Sequence, residues 1–315
     1  MTDQSNTPVV PIKTKDEVTL VDTGRSAFQM PIWFAKMAKA VWPLLALGLL
    51  VFFSFIGIFG PQLAPQDPNR QNLILRLMEP FQFNEEGVME FPLGTDALGR
   101  DVLSRLLHGA QISLWVGLAA VIVGGLSGTV LGLISGYMGG ITDDIIMRLA
   151  DIQLAFPFIL LAIMVLVVLG SGVLNLILVL GIGQWVIYAR IARGEAISQR
   201  EQEYVEAARS SGMSILGIMF YHILPNILAP IIVIATFNVA SVILAEAALS
   251  FLGLGVPPDI PTWGAMLAES REQLLGGRWW LALFPGLAIM LVVLSLNILG
   301  DWLRDVLDPR LRGTD

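Results

Sequence analysis

From Ile152 to Ala189 the chain carries no charged residue. A helix needs only about 20 apolar residues to cross a bilayer, so a run this long cannot be a single span. It must turn back within itself, and Gly170-Ser171-Gly172 is the point where the backbone is freest to do so. The reading is a hairpin of two membrane helices, one from about Ile145 to Leu169 with Pro157 inside it, the other from Val173 to about Ile191. Arg148 and Asp151 lie close enough to the start of the first helix for their charges to reach toward water.

The same criterion places four more spans. Ala40 to Gly60 is uncharged and forms the first, after a polar Met1–Lys39 segment read as an irregular tail with Trp33 and Trp42 as interfacial anchors. Ile112 to Tyr137 forms the second. Its Gly117, Gly124, Gly128 and Gly132 recur along one face, which suits close helix–helix packing more than contact with lipid. Leu228 to Leu252 and Leu281 to Gly300 complete a set of six. With 55% hydrophobic and 14% charged residues the composition agrees, and the expected fold class is an all-α integral membrane protein with six transmembrane helices. Between spans, 61–111 reads as a long Pro-broken loop and 253–278 as a second one. Residues 112–303 read as the membrane core, and 304–315 as a short polar tail.

Of the nineteen Lys and Arg residues, thirteen fall on the side of the N-terminus and six opposite, if six helices separate the segments. Positive residues favour the cytoplasm, so both termini are expected inside. Cysteine is absent and His108 and His222 are the only histidines, which excludes a disulfide framework and a thiol nucleophile and leaves little for a zinc site. No Gly-Lys pair exists to build a phosphate-binding P-loop, so nucleotide hydrolysis would have to come from a partner. No basic patch interleaved with aromatics suggests nucleic acid, and no cofactor motif is present.

The longest charged interruption in the second half is Glu195 to Pro230. Glu195–Arg209 lacks Gly and Pro and suits a solvated helix. Gly212 can close that helix in the left-handed conformation, and Ser214 is placed to cap a second arm, Ile215–Leu224. The small pair Ala207-Ala208 beside Glu206 would let this bend approach another protein closely. An ordinary connection between two membrane helices is the plainer reading of the same shape.

Glu206-Ala207-Ala208, Gly212 and Leu224-Pro225 are spaced as in the EAA loop of permease subunits of binding-protein-dependent ABC importers, with His222-Ile223-Leu224-Pro225-Asn226 similar to the dipeptide, oligopeptide and nickel branch. The resemblance runs from about Pro61 to the C-terminus. It implies a type I importer permease architecture in the lipid bilayer of a bacterial plasma (inner) membrane, in which this loop seats on an ATPase subunit, with a second homologous permease, two cytoplasmic ATPases and an extracytoplasmic solute-binding protein as partners. The cargo it implies is a peptide or a similar small solute, and the subunit itself is not an enzyme. Gly94-Thr95-Asp96 followed by Gly99-Arg100-Asp101 also resembles a signature of this branch, although Gln111 stands where an arginine is common. Read from spacing alone, Arg100, Asp101 and Arg105 fit a short solvated helix with ion pairs along it. Their cluster of charge on the expected outer side, next to a glycine-packed helix, instead makes Asp96, Arg100 and Asp101 candidates for the outer vestibule or a docking surface for the binding protein.

Glu246 lies in the fifth span. Its carboxylate either reaches the interface or faces a translocation path. A different class of function, an ion-coupled carrier or an intramembrane enzyme, would use Glu246 or Asp151 and would need convergent polar groups inside the spans.

Overall fold

The computed structural model describes residues 41–83, 87 and 89–307. The N-terminal segment up to Lys39 and the Asp308–Arg312 terminus lie outside them. Nine helices are numbered here: α1 (Val41–Leu63), α2 (Val102–Met138), α3 (Gly140–Leu154), α4 (Phe158–Leu169), α5 (Val173–Arg200), α6 (Glu203–Ser210), α7 (Ile215–Phe251), α8 (Trp263–Leu274) and α9 (Trp280–Leu307). No strand occurs among the described residues.

α2 and α5 form the spine. Along α2, Gly124, Gly128, Gly132 and Gly136 face α5 so closely that a Cβ at Gly128 would lie 2.2 Å from the Trp185 carbonyl oxygen, and one at Gly132 2.2 Å from that of Ala189. Lipid tails are as apolar as leucine, so burial alone cannot hold two helices together in a bilayer. Close backbone approach, with its many dispersion contacts, can. The expected glycine face is therefore real. Gly117, however, meets Ile243 on α7, because the face rotates onto a second neighbour toward the start of the helix.

Two apolar clusters flank the spine. One joins α2, α4, α5 and α7 through Leu133, Leu166, Leu180 and Leu249. The other joins α1, α2, α7, α8 and α9 through Phe53, Val102, Ile243, Trp263 and Val292. Trp280, expected at the interface, is instead 1% exposed in this second cluster, its indole N–H donating to the Thr95 carbonyl at 3.4 Å. Trp279 beside it is exposed, as expected of an anchor.

The hairpin expected from Ile145 to Ala189 is present with one change: its first helix is broken. α3 starts at Gly140, and α3 and α4 meet at 89°. Pro157 lies at the break. It has no N–H to continue the ladder, and its ring clashes with the carbonyl four residues earlier. Together the two halves are long and apolar enough for one broken span. Asp143 at the start of α3 accepts from Arg193 Nε and Nη2 near the end of α5, at 2.5 and 2.6 Å. At the other end, Asn175 near the start of α5 donates to the carbonyl of Leu169, the last residue of α4, at 3.0 Å. Among the described residues α1, α2, α5, α7 and α9 are each long and apolar enough to cross a membrane, and α3 with α4 makes a sixth span if the broken pair is counted as one.

Candidate functional sites

The charged bend is built differently from the two-armed motif expected. α5 carries on to Arg200, so Glu195–Arg200 belongs to a membrane helix, and the first arm is only Glu203–Ser210. Its Val205 and Ala208 are buried in the α2–α5–α7 cluster. Glu203, Tyr204, Glu206, Ala207 and Arg209 face outward. The small pair is thus split, Ala207 lying on the free surface and Ala208 against the core. Gly212 ends the arm at φ 78°. There Met213 N–H bonds to the Ala208 carbonyl at 3.2 Å and Gly212 N–H to that of Arg209 at 3.0 Å. This is the Schellman pattern, which satisfies two carbonyls left over at the helix end. Ser214 Oγ then accepts from Gly217 N–H at 3.2 Å and caps the next helix, as its position predicts.

That next helix is not a separate arm. α7 runs unbroken into the membrane, with Ile218–Ile223 as a π-helical segment. Leu224 N–H reaches back five residues to Met219, and the widened turn makes room for the ring of Pro225. Leu224 and Pro225 therefore belong to the joint between bend and membrane rather than to its exposed surface. Asn226 from the motif, with Tyr204 and Gln199 from outside it, holds the joint. Asn226 Nδ2 donates to the His222 carbonyl at 2.7 Å and to Tyr204 Oη at 3.3 Å, and Tyr204 Oη donates to Gln199 Oε1 at 2.6 Å.

At the other end of the bundle, Asp96, Arg100, Asp101 and Arg105 form neither a short helix nor a solvated surface. Asp101 is the N-cap of α2, accepting from Ser104 N–H at 2.8 Å, so α2 begins at Val102 and not at Ile112. Arg105 sits in its first turn, while Asp96 and Arg100 lie in the loop before it. Asp96 accepts from Arg100 N–H at 2.9 Å, Arg100 Nε at 2.6 Å and Arg105 Nη1 at 2.7 Å. A fifth residue closes the cluster: Glu269 on α8 accepts from Arg100 Nη2 at 2.7 Å and from Arg105 Nη2 at 3.0 Å. Arg105 is 2% exposed. The glycines of the motif are forced by geometry. Gly99 has φ 71°, and a Cβ on it would lie 1.8 Å from the Asn72 carbonyl oxygen. Beside this knot opens a cavity of about 750 Å³, lined by Asp96, Arg100, Arg105, Glu269, Arg271 and Glu272 among others. Sequence spacing had no means of finding Glu269, which lies on a helix inside what reads as a loop.

Glu246 does not reach the interface. It is 0% exposed, enclosed where α2, α7 and α8 meet. Ser250 Oγ donates to it at 2.7 Å and Ser113 Oγ at 3.2 Å, and Ser113 Oγ in turn accepts from Trp263 N–H at 3.3 Å. These bonds tie the start of α8 to α2 and α7. Asp151, the other carboxylate considered, forms an exposed pair with Arg190 at 2.7 Å. No group of three or more metal-ligating side chains occurs among the described residues.

Five membrane-length helices, six spans with the broken α3–α4 pair, a charged bend at one end and an ion-paired knot at the other define a polytopic membrane protein. Residues 128–313 match the family model described as binding-protein-dependent transport system inner membrane component, and the chain belongs to that family. Among curated relatives, the di/tripeptide transport system permease protein DppC of Pseudomonas aeruginosa is 43% identical over 279 residues, covering 89% of this chain and 90% of that one. The glutathione transport system permease protein GsiD of Pectobacterium atrosepticum is 46% identical over 220 residues, 70% of this chain and 73% of its own. Of solved structures, the MetNI methionine ABC transporter in inward-facing conformations matches with TM-score 0.49 at 20% identity, covering 65% of this chain and 96% of that one.

Proposed function

We propose that this chain is one permease subunit of an ATP-driven importer for peptides or similar small solutes, paired in the bilayer with a second, related permease. The exposed face of α6, carrying Glu206 and Ala207 and set by the Gly212 turn, receives one of two cytoplasmic ATPase subunits. The knot of Asp96, Arg100 and Asp101 shapes the outer vestibule against an extracytoplasmic solute-binding protein. Both termini and the α6 bend lie in the cytoplasm, with residues 1–39 as the N-terminal tail. Transport then proceeds by alternating access, the two states being biased by what each partner binds.

The cargo class rests on the relatives. A di/tripeptide system and a glutathione system share small peptidic solutes, and identity spread over most of the chain points to a common scaffold. The α6 bend is the observation that carries the reading. It spends a short helix, a Schellman turn and a π-helical joint on presenting a small, charged surface that the described residues leave uncovered.

The orientation test uses the cysteine-free sequence. A membrane-impermeant thiol reagent on sealed cells should label Gln82→Cys and leave Ser198→Cys unlabelled. Labelling of Ser198→Cys from outside would overturn the cytoplasmic placement of the bend, and the ATPase assignment with it.

A further inference from the structure

The break between α3 and α4 packs against α5 well inside that helix. Gln153 Nε2 donates to the carbonyls of Ile182 and Gly183 on α5 at 3.2 and 3.1 Å, and Trp185 Nε1 donates to Gln153 Oε1 at 2.6 Å. Gly183 also receives the ring of Phe158, which occupies the place a Cβ would take. Gly183 comes ten residues after Val173, where α5 starts. At 1.5 Å per residue that is roughly 15 Å, about half of a ~30 Å hydrocarbon layer.

A bend of 89° cannot keep the helical hydrogen-bond ladder across it. Phe156 N–H bonds back to the Gln153 carbonyl at 3.3 Å. Among the described residues, the carbonyls of Leu154, Ala155 and Phe156 accept no hydrogen bond. The first turn of α4 has no side-chain cap. The other described residues do not cover them, Leu154 being 53% and Phe156 58% exposed. Free backbone polar groups at this depth are not tolerated against lipid. They occur only where protein covers them or where they line water. Gln153 and Trp185, which could have capped the break, bond each other and α5 instead.

We propose that the α3–α4 break, Leu154 to Phe158, lines the solute path at mid-membrane and offers its free carbonyls to the amide N–H groups of a passing peptide. Recognition through backbone groups is indifferent to side chains, which suits a subunit that must pass peptides of varied sequence. The cargo in this inference rests on the functional reading above.

The test uses the assembled complex with Ala155→Cys in this cysteine-free chain. Val51→Cys serves as the comparison, on the exposed face of the unbroken helix α1 at similar depth. A charged methanethiosulfonate reagent should modify Ala155→Cys at least tenfold faster than Val51→Cys in one or more nucleotide states. Adding a transported dipeptide with its binding protein should slow that reaction at least threefold. Equal rates at the two positions overturn the inference. So does no reaction at Ala155→Cys in any state, whether lipid or the second permease covers it, and so does a rate that cargo leaves unchanged. Peptide uptake by the unmodified Ala155→Cys complex is measured alongside. A complex that imports peptide but fails the labelling test sinks this inference alone, whereas a parental complex that imports none sinks the functional reading.

Discussion

Replacing Gly212 by valine separates docking from folding. Gly212 has φ 78° and nothing within 4 Å of an added Cβ, so the new side chain meets no atom and the whole cost is conformational. An L-residue in the left-handed region costs about 1–2 kcal/mol, and a β-branched one lies at the upper end. Relaxing φ would relieve that strain by breaking the two bonds that close α6, Met213 N–H to Ala208 and Gly212 N–H to Arg209. A penalty of one to two kcal/mol is a factor of about 5–30 in the population of the correctly angled bend. The membrane core is untouched, since Val205 and Ala208 keep their places in it. Gly212→Val should therefore reach the membrane at near-normal level while ATPase copurification and uptake fall several-fold. Ala207→Trp should do the same by bulk on the exposed face. Gly217→Ala is a poor control, because its Cβ would press on Met213 Cγ at 3.0 Å and on the capping Ser214 Oγ at 3.2 Å. Gly194→Ala is the better one, with open space and helical backbone, and it should be neutral or slightly stabilising. Full ATPase copurification and full uptake by Gly212→Val would refute the reasoning.

At the end of the bundle away from α6, Arg105→Ala removes one of the two guanidiniums that bridge Asp96 and Glu269 and leaves Arg100 to hold both carboxylates. Breaking a buried pair from one side costs about 3–5 kcal/mol, so the thermal midpoint of the purified complex should drop clearly, and an unchanged midpoint would return the knot to a minor role. Glu246→Gln should import neutral and charged peptides equally well, because the carboxylate is sealed between helices, while Glu246→Leu, which strands the Ser113 and Ser250 hydroxyls, should lower the amount of folded protein. A selective loss of charged cargo in Glu246→Gln would put the residue on the path after all.

The spans were legible because apolar length is a one-dimensional property, and the glycine face of α2 because it repeats along one helix. The conformation of Gly212 and the cap at Ser214 were legible for the same reason, being set by neighbours in the chain. What sequence hid was of two kinds. Glu269 closes the Asp96–Arg105 knot from 164 residues beyond Arg105, and no spacing rule reaches that far. Glu246 and Trp280 look alike whether they end at an interface or inside a bundle, and only the positions of α2, α8 and the knot decide it. Pro157 was visible, but a proline can kink a membrane helix slightly or break it outright, and the outcome depends on whether a neighbour such as Gly183 leaves room for Phe158.

The central claim is that this chain moves solute only as part of an ATP-driven, binding-protein-fed complex. The direct measurement is uptake of a labelled dipeptide into proteoliposomes holding this chain, its partner permease and the ATPase pair. Accumulation should require the binding protein outside and ATP with Mg²⁺ at the ATPases, and should persist when ion gradients are collapsed. Uptake driven by an ion gradient without ATP or binding protein would contradict the account.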